Sequence, residues 1–313
     1  SAGSAICVLW HHLLTKKMMQ LAMDRVAPQD RSNGKMRVSG SPEMIETTEI
    51  VKKAAGQLEK SGCDVVEITA HDGISLIGHW CPCEEPKRTI VAMHGWRSSW
   101  SHDFGLIADF WRNNHCSVLY AEQRGQNNSG GDHMSLGLLE RYDCLAWTNW
   151  INEKTGKSIP IYLAGVSMGA TSVLMASELE LPDNVFGIAA DSAFTSLHAI
   201  WKHVSESNLH IPYALHKTGA DRMCKKRIQM DADAASTEAL KHCQIPVLFV
   251  HGTDDHFVPV EMTYENYKAC TSEKRLLIVP GADHCMSYLV GKSTYERIAK
   301  EFWEFCEQRK KNP

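Results

Sequence analysis

Gly165-Val166-Ser167-Met168-Gly169 sets a serine between two glycines, each two positions away. A serine hydroxyl is a poor nucleophile near neutral pH, so its chemistry would be acyl transfer assisted by a neighbouring base. The pattern alone arises by chance in many proteins, and its placement carries the information. The apolar run Ile159–Ala164 precedes it and a helical pattern begins near Met168, which puts the serine on a sharp strand-to-helix turn. Glycines on either side remove the side chains that would clash there, and the hydroxyl is raised above the carboxyl edge of a sheet. The Met168 amide, at the amino terminus of the helix, points to the same spot, where a partial positive charge favours an oxyanion.

Such a serine needs a base, and the base needs an acid to fix its tautomer. The expected chain order is serine, acid, histidine, each at the end of a later strand. The run Pro246–Val250 leads into His251-Gly252-Thr253-Asp254-Asp255-His256-Phe257-Val258-Pro259, and Arg275–Val279 leads into Pro280-Gly281-Ala282-Asp283-His284-Cys285. Asp254, Asp255 and His284 therefore stand where parallel sheets place their sites. Asp283 adjoins the histidine, but neighbouring side chains on a loop seldom face each other. With 16 histidines in the chain, only those placed by a motif are credited.

The elements that would position these groups recur from residue 63 onward. Short apolar runs lie at Asp64–Ala70, Ser75–Trp80, Thr89–Met93, Ser117–Ala121, Ile159–Ala164, Phe186–Ala190, Pro246–Val250 and Arg275–Val279. Asp72-Gly73 between the first two predicts an antiparallel hairpin. The remaining runs are nearly continuous in apolar residues, as strands buried on both faces must be. Helical faces fall between them: Phe104, Ile107, Ala108 and Trp111; Leu138, Leu139, Tyr142, Leu145, Ala146 and Trp150; then Val260–Cys270 and Tyr295–Cys306. This alternation predicts an eight-stranded, mostly parallel, doubly wound sheet. The long interval between Asp191 and Ile245 predicts a helical cap inserted over about 192–244. Trp201, His203, His210, Tyr213 and His216 lie in it, and Trp201, Tyr213 and His216 are the candidate pocket residues.

Ahead of this body, over 1–42, an amino-terminal helix and a linker are expected. The chain opens Ser1-Ala2-Gly3-Ser4 without methionine, which reads as an expression remnant with natural residues upstream. Ala5–Leu14 is apolar but short and carries His11-His12. Ile6, Leu9, Leu13, Met18 and Leu21 follow roughly helical spacing. A helix packed on the domain is the plain expectation; an interfacial helix touching a membrane surface, or the stub of a removed anchor, is the sharper one. Residues 28–42, rich in Pro, Gly, Ser and Asn, read as the linker to a domain over 43–313.

Composition narrows the classes. The chain has 313 residues, a net charge of −4, 43% hydrophobic and 22% charged residues. That is globular composition, and it excludes a disordered chain and a nucleic-acid binder that works by bulk positive charge. No apolar stretch approaches the ~18 residues of a spanning helix. The 11 cysteines are scattered, which reads as thiols packed in a reducing compartment and points to the cytoplasm. Cys81-Pro-Cys83 alone is a weak zinc signal. Asn127-Asn128-Ser129 is formally a glycosylation sequon at odds with that compartment. There is no GxGxxG and no HExxH, and the two Gly-Lys-Ser triplets lack the earlier glycine of a phosphate loop. Neither cofactor nor metal is called for.

Taken together, residues 63–306 resemble the α/β-hydrolase superfamily, and most closely the single-domain bacterial serine hydrolases related to acylaminoacyl-peptidase and prolyl-oligopeptidase catalytic domains. His94-Gly95-Trp96 is similar to the family's oxyanion segment, which implies the Trp96 amide as second donor beside that of Met168. Glu122–Ser129 matches a D-x-R-G-H-G-x-S turn, with Glu for Asp and Gln-Asn for His-Gly. Gly137, Glu140 and Asp143 fit the G-x-x-E-x-x-D helix start that follows. HGxxDxxVP over His251–Pro259 selects Asp255 as the acid over Asp254. GAxHxxSY over Gly281–Tyr288 selects His284. Asp191 is the position some members use for the acid. His94 is expected to hold the oxyanion turn through hydrogen bonds rather than to transfer protons, and Cys285, beside the base, to pack or else to sense oxidation.

The implied activity is cleavage of small or medium carboxylic esters through a Ser167–His284–Asp255 triad and an acyl-enzyme. The alternatives are an exopeptidase or amidase acting on blocked or aminoacyl substrates, a lysophospholipase, and a ligand-binding member without catalysis. The partner expected is a small ester or amide substrate, with no nucleic acid; peripheral membrane contact through the amino-terminal helix is the further alternative.

Overall fold

The computed structural model describes residues 2–25 and 42–311. An eight-stranded sheet runs through it in the order β1-β2-β4-β3-β5-β6-β7-β8. Its strands are β1 Asp64–Thr69, β2 Ser75–Cys81, β3 Arg88–Met93, β4 Cys116–Ala121, β5 Ile161–Val166, β6 Val185–Asp191, β7 Val247–Gly252 and β8 Lys274–Val279. Every strand read from the sequence is present, with ends shifted by no more than about two residues. β1 and β2 pair antiparallel, Thr69 opposite Ser75, and β2 joins β4 antiparallel. From β4 to β8 all pairings are parallel, so the sheet is mixed and its parallel part carries the site. β3, β4 and β7 are buried along their whole length, as helices on both faces require.

One face is covered by α4 Glu140–Thr155, α5 Met168–Ala176, α8 Ser236–Leu240 and α9 Val260–Ala269, with Trp147, Ile151, Val173 and Leu174 in its core. The other carries α2 Pro42–Glu59, α3 Trp100–Asn113 and α11 Lys292–Lys311, through Leu58, Phe104, Trp111, Phe302 and Trp303. Each large side chain buried this way contributes roughly 1.5–3 kcal/mol. A third apolar cluster sits over the carboxyl edge of the sheet. It joins α1 Ala2–Met23 to the insertion after β6, which folds as α6 Leu197–His203, a π-turn, a short 3-10 turn and α7 Lys217–Ile228. α8, within the predicted cap, lies instead beside α5 and α9 on the sheet, so the part over the site ends before it.

One element is added to the sequence expectations and one expectation is corrected. The linker over 28–42 falls outside the described residues except for Pro42, which opens α2, a helix the sequence reading did not identify. Pro suits the first helical position, and Val51 and Leu58, both buried, repeat at helical spacing on its inner face. Nor are all cysteines thiols. Cys63 and Cys81 face each other at the end of the β1–β2 ladder, with Cα atoms 4.4 Å apart, and form a disulfide. Their spacing of 18 residues becomes a contact only once the hairpin register is known. Among the described residues no helix is long and apolar enough to cross a membrane. The amino-terminal helix packs on the domain: Met19 and Met23 are buried, and the Arg227 Nε on α7 donates to Asp24 at 2.8 Å.

Candidate active site

Ser167 joins β5 to α5 with φ 54° and ψ −119°, a conformation that costs on the order of 1–3 kcal/mol for a non-glycine residue. Its surroundings over-determine it. The Ser167 amide donates to the Asp191 carbonyl at the end of β6, at 2.8 Å. α5 behind it is buried throughout. Any Cβ on Gly169 would overlap the Met93 carbonyl, and one on Gly165 would overlap the Gly169 carbonyl. The glycines therefore let the helix start pass against the ends of β3 and β5, and Ser167 is left at the rim with 4% of its surface exposed.

His284 follows β8 and reaches both predicted partners. Its Nε2 stands 2.9 Å from Ser167 Oγ and its Nδ1 2.7 Å from Asp255 Oδ2. A carboxylate only accepts, so Nδ1 carries the proton and Nε2 is left to accept from the serine. Asp255 is fixed from all sides: the Phe257 and Val258 amides donate to Oδ1 at 3.0 and 2.8 Å. His251 Nε2, which bonds the Val258 carbonyl at 2.9 Å, also lies 3.1 Å from Oδ2. Burial would raise this carboxyl, but the hydrogen bonds from His251, His284 and Val258 outweigh it and hold it well below the usual carboxylate range. The sequence reading used His251 only as a motif letter. The structure gives it a positioning contact with the acid, braced through Nδ1 by Thr263 at 2.7 Å.

The other carboxylates are engaged elsewhere. Asp254 is exposed and accepts from the Thr253 hydroxyl. Asp283 Oδ1 caps the His284 amide at 2.7 Å. Asp191 accepts from Ser287 and Ser192 Oγ, both at 3.0 Å, and burial raises its pKa. The Cys285 thiol next to the histidine is half-buried, and burial and then Asp103 push its pKa up.

The turn after β3 lies against the serine: a Cβ on Gly95 would stand 3.3 Å from Ser167 Cβ. Asp103 Oδ2 accepts from the Gly95 amide at 2.7 Å. His94 is wholly buried. Its Nδ1 meets the Gly95 carbonyl at 2.8 Å, and its Nε2 receives the Gln123 amide at 3.1 Å. Asn127 Nδ2, in a departure from the family turn, bonds the Ser98 carbonyl at 3.1 Å. Arg124 anchors the whole loop through Asp143 at 2.6 Å and Asp72 at 2.7 Å. The turn that carries Trp96 thus lies against Ser167, and Met168 opens α5 directly after it.

Above Ser167 lies a cavity of about 110 Å³. Its walls come from α1 (Thr15, Met18, Met19), the turn residue Trp96, Phe257 beside the acid, and the insertion. Trp201, Tyr213 and His216 all line it. Sequence spacing missed that α1 supplies a wall, because nothing in a lone helix tells which pocket it will cover.

Residues 102–312 match the model of the prolyl oligopeptidase family. The Bacillus subtilis protein YqkD, itself uncharacterized, is 28% identical over 251 residues, spanning 79% of this chain and 80% of its own. YfhR of Escherichia coli K12, also uncharacterized, is 25% identical over 225 residues, or 70% and 72% of the two chains. Among solved structures, the Pyrococcus furiosus esterase Pf2001 superposes with TM-score 0.63 at 22% identity, covering 78% of this chain and 92% of that one. Est1E from Butyrivibrio proteoclasticus gives 0.57 at 18%, covering 77% and 99%. These two likenesses speak for the fold. The family match runs from α3 to the end of α11 and takes in the serine turn, the Asp255 loop and the His284 loop. The chain is thus an α/β-hydrolase-fold serine hydrolase and belongs to the prolyl oligopeptidase family.

Proposed function

We propose that the protein cleaves carboxylic esters through Ser167, His284 and Asp255. The observation that carries this reading is the continuous contact from Ser167 Oγ to His284 Nε2 and from Nδ1 to Asp255, 2.9 and 2.7 Å, opening under an apolar cavity. His284 Nε2 takes the hydroxyl proton as Oγ attacks the ester carbon, and the carbonyl π pair moves to oxygen. The Trp96 and Met168 amides donate to that oxyanion, each worth about 10²–10³ in rate. Collapse breaks the bond to the alcohol, which leaves with the proton from His284. Water then repeats the sequence on the acyl-enzyme, releasing the acid and restoring Ser167.

The family match favours a second reading, hydrolysis of aminoacyl or blocked amino-acid amides. Against it, among the described residues the polar side chains lining the cavity other than Trp are Ser167, Thr15, Tyr213 and His216, and no described carboxylate, Lys or Arg lines it to receive a charged terminus. Assay of the protein and of Ser167→Ala on matched p-nitrophenyl esters and aminoacyl p-nitroanilides tests both. Ester turnover lost in Ser167→Ala is the expected result. Turnover confined to anilides would transfer the reading to the amidase, and equal ester turnover in Ser167→Ala would end it.

A further inference from the structure

The turn that carries Trp96 is closed only weakly from within. The Ser98 amide donates to the Gly95 carbonyl at 3.4 Å, longer than is usual for such a bond, and Arg97 inside the turn has φ 52°. Its shape therefore depends on what holds its two ends. At the first end this is the His94 ring. The Gln123 amide donates to Nε2 at 3.1 Å, so the neutral ring carries its hydrogen on Nδ1 and gives it to the Gly95 carbonyl at 2.8 Å. The Gly95–Trp96 peptide is trans, and the Trp96 N–H accordingly points away from that carbonyl. Whatever fixes the carbonyl on the buried ring also fixes the direction of the N–H.

One side chain reaches both ends of this turn. Asn127 Nδ2 donates to the Ser98 carbonyl at 3.1 Å and lies 3.2 Å from His94 Nε2. Both of those atoms accept, so it is the amide nitrogen that faces them, one hydrogen to each. Asn127 is 6% exposed and has φ 50°, in the left-handed region that glycine enters most readily. Its main chain is held there without help from the side chain. Arg25 Nη2 donates to the Asn127 carbonyl at 3.1 Å, and Nη1 to the Ser129 and Gly131 carbonyls at 2.7 and 2.8 Å. The backbone alone would be served better by glycine; what the carboxamide adds is the pair of bonds to the turn.

Resting on the ester-hydrolysis reading, in which the Trp96 amide receives the oxyanion, we propose that Asn127 is a positioning residue for that amide. Its Nδ2 clamps the Ser98 carbonyl and His94 Nε2 together and so fixes the direction of the Trp96 N–H. The clamp itself touches no substrate. It matters when negative charge develops on the carbonyl oxygen, so its loss falls on the transition state and spares binding of the ester.

Two variants test this. Asn127→Gly suits the backbone and removes both bonds; Asn127→Asp keeps the shape but turns only acceptors toward two acceptors. Turnover of a p-nitrophenyl ester is measured per serine titrated with an organophosphonate, so that only folded sites are counted. Each variant should lose about 10- to 100-fold in kcat, less than a deleted oxyanion donor because the amide is misaimed and not removed. KM should stay within about threefold. An alkyl trifluoromethyl ketone forms a tetrahedral adduct on the serine with its oxygen in the same hole. Its dissociation constant, read by fluorine NMR, should rise in Asn127→Gly by the factor lost from kcat/KM. A kcat and a ketone affinity within about twofold of the parent in either variant overturn the proposal, as does a loss carried by KM. Failure of Asn127→Gly to fold overturns it too, since the side chain would then be holding its own loop. If the parent turns over no ester, the ester reading has failed, and the ketone decides the clamp alone: weaker binding in both variants supports it and equal binding refutes it.

Discussion

The rim that carries Ser167, His284 and Asp255 and the roof that covers them are built on different principles. At the rim nearly every polar atom has a partner: Asp255 is held by two amides and two imidazoles, and the strained serine by the Asp191 carbonyl and its flanking glycines. The roof, made by α1, α6 and α7, encloses its cavity with apolar side chains, Met19, Met23, Trp201, Cys224 and Ile228 packing on one another, and directed bonds such as Arg227 to Asp24 and Thr15 to His216 tie α1 to the insertion. Directed bonds and close backbone approaches fix atoms to fractions of an ångström; apolar packing fixes a volume. The rim is thus suited to a reaction and the roof to choosing what enters.

The largest effect should come from removing the rim's nucleophile. Ser167→Ala is expected to lower kcat on a p-nitrophenyl ester by about 10⁶, and Asp255→Asn by about 10⁴ with the fold intact. Measured thermal unfolding would separate this from misfolding. If Asp255→Asn retained most of its activity, the carboxylate would not be setting the histidine tautomer, and the rim would lose its distinction from the roof.

Backbone fit at the rim is expected to matter next. Gly169→Ala puts a methyl where the Met93 carbonyl already lies. Overpacking of this kind costs about 1–3 kcal/mol or more, so a Tm drop of several degrees should accompany loss of ester turnover. An unchanged Tm would mean that the β3 end can yield, contrary to its full burial. On the roof, Met19→Ala should leave acetyl-ester turnover within a few-fold and shift preference toward longer acyl chains by about tenfold. That estimate follows from the ~1–3 kcal/mol a methylene is worth in an apolar pocket. Equal loss on all chain lengths would say that α1 supports the rim instead.

The same contrast explains what could be read from the sequence. Ser167, Asp255 and His284 were legible because strained turns and close approaches demand particular residues at fixed spacing, glycine above all, and because each follows a buried strand. The strands were legible for the same reason, since burial on both faces leaves a run of apolar residues. α2 was missed because its inner face is sparse and its neighbour in sequence resembles linker. The Cys63–Cys81 pair was missed because it depends on hairpin register. That Trp201, Tyr213 and His216 face one cavity follows from packing against α1, which ends at Met23 far earlier in the chain, and no local pattern encodes that. His251 stood inside a recognised motif, yet only the coordinates bring its Nε2 to the acid.

Acid titration should distinguish the rim's two buried carboxyls. Hydrogen bonds from His251, His284 and Val258 hold Asp255 below the ordinary carboxylate range near 3.8, so its contribution to stability is present above about pH 4 and is lost as pH falls through the lower folded value. Thermal unfolding should therefore show a stability gap between the parent and Asp255→Asn at pH 7 that narrows as pH falls below about 4. A gap of the same size at pH 7 and at pH 3 would contradict this.

Asp191 has the opposite sign and the smallest expected effect. Burial raises its pKa above 3.8, opposed by His251 and by the Ser287 and Ser192 hydroxyls. Whatever stability its neutral form brings is complete below pH 3.8 and declines as pH rises through the folded value. Asp191→Asn keeps an oxygen to accept from Ser287 and Ser192 and removes the titration. Its Tm should be higher than the parent's at pH 7, on the order of a few degrees, and the gain should vanish at pH 3.5. Because Asp191 makes no hydrogen bond to His284, turnover should change little beside the loss in Asp255→Asn. A variant less stable at pH 7, or one as inactive as Asp255→Asn, would make Asp191 a working part of the rim and not a buried carboxyl beneath it.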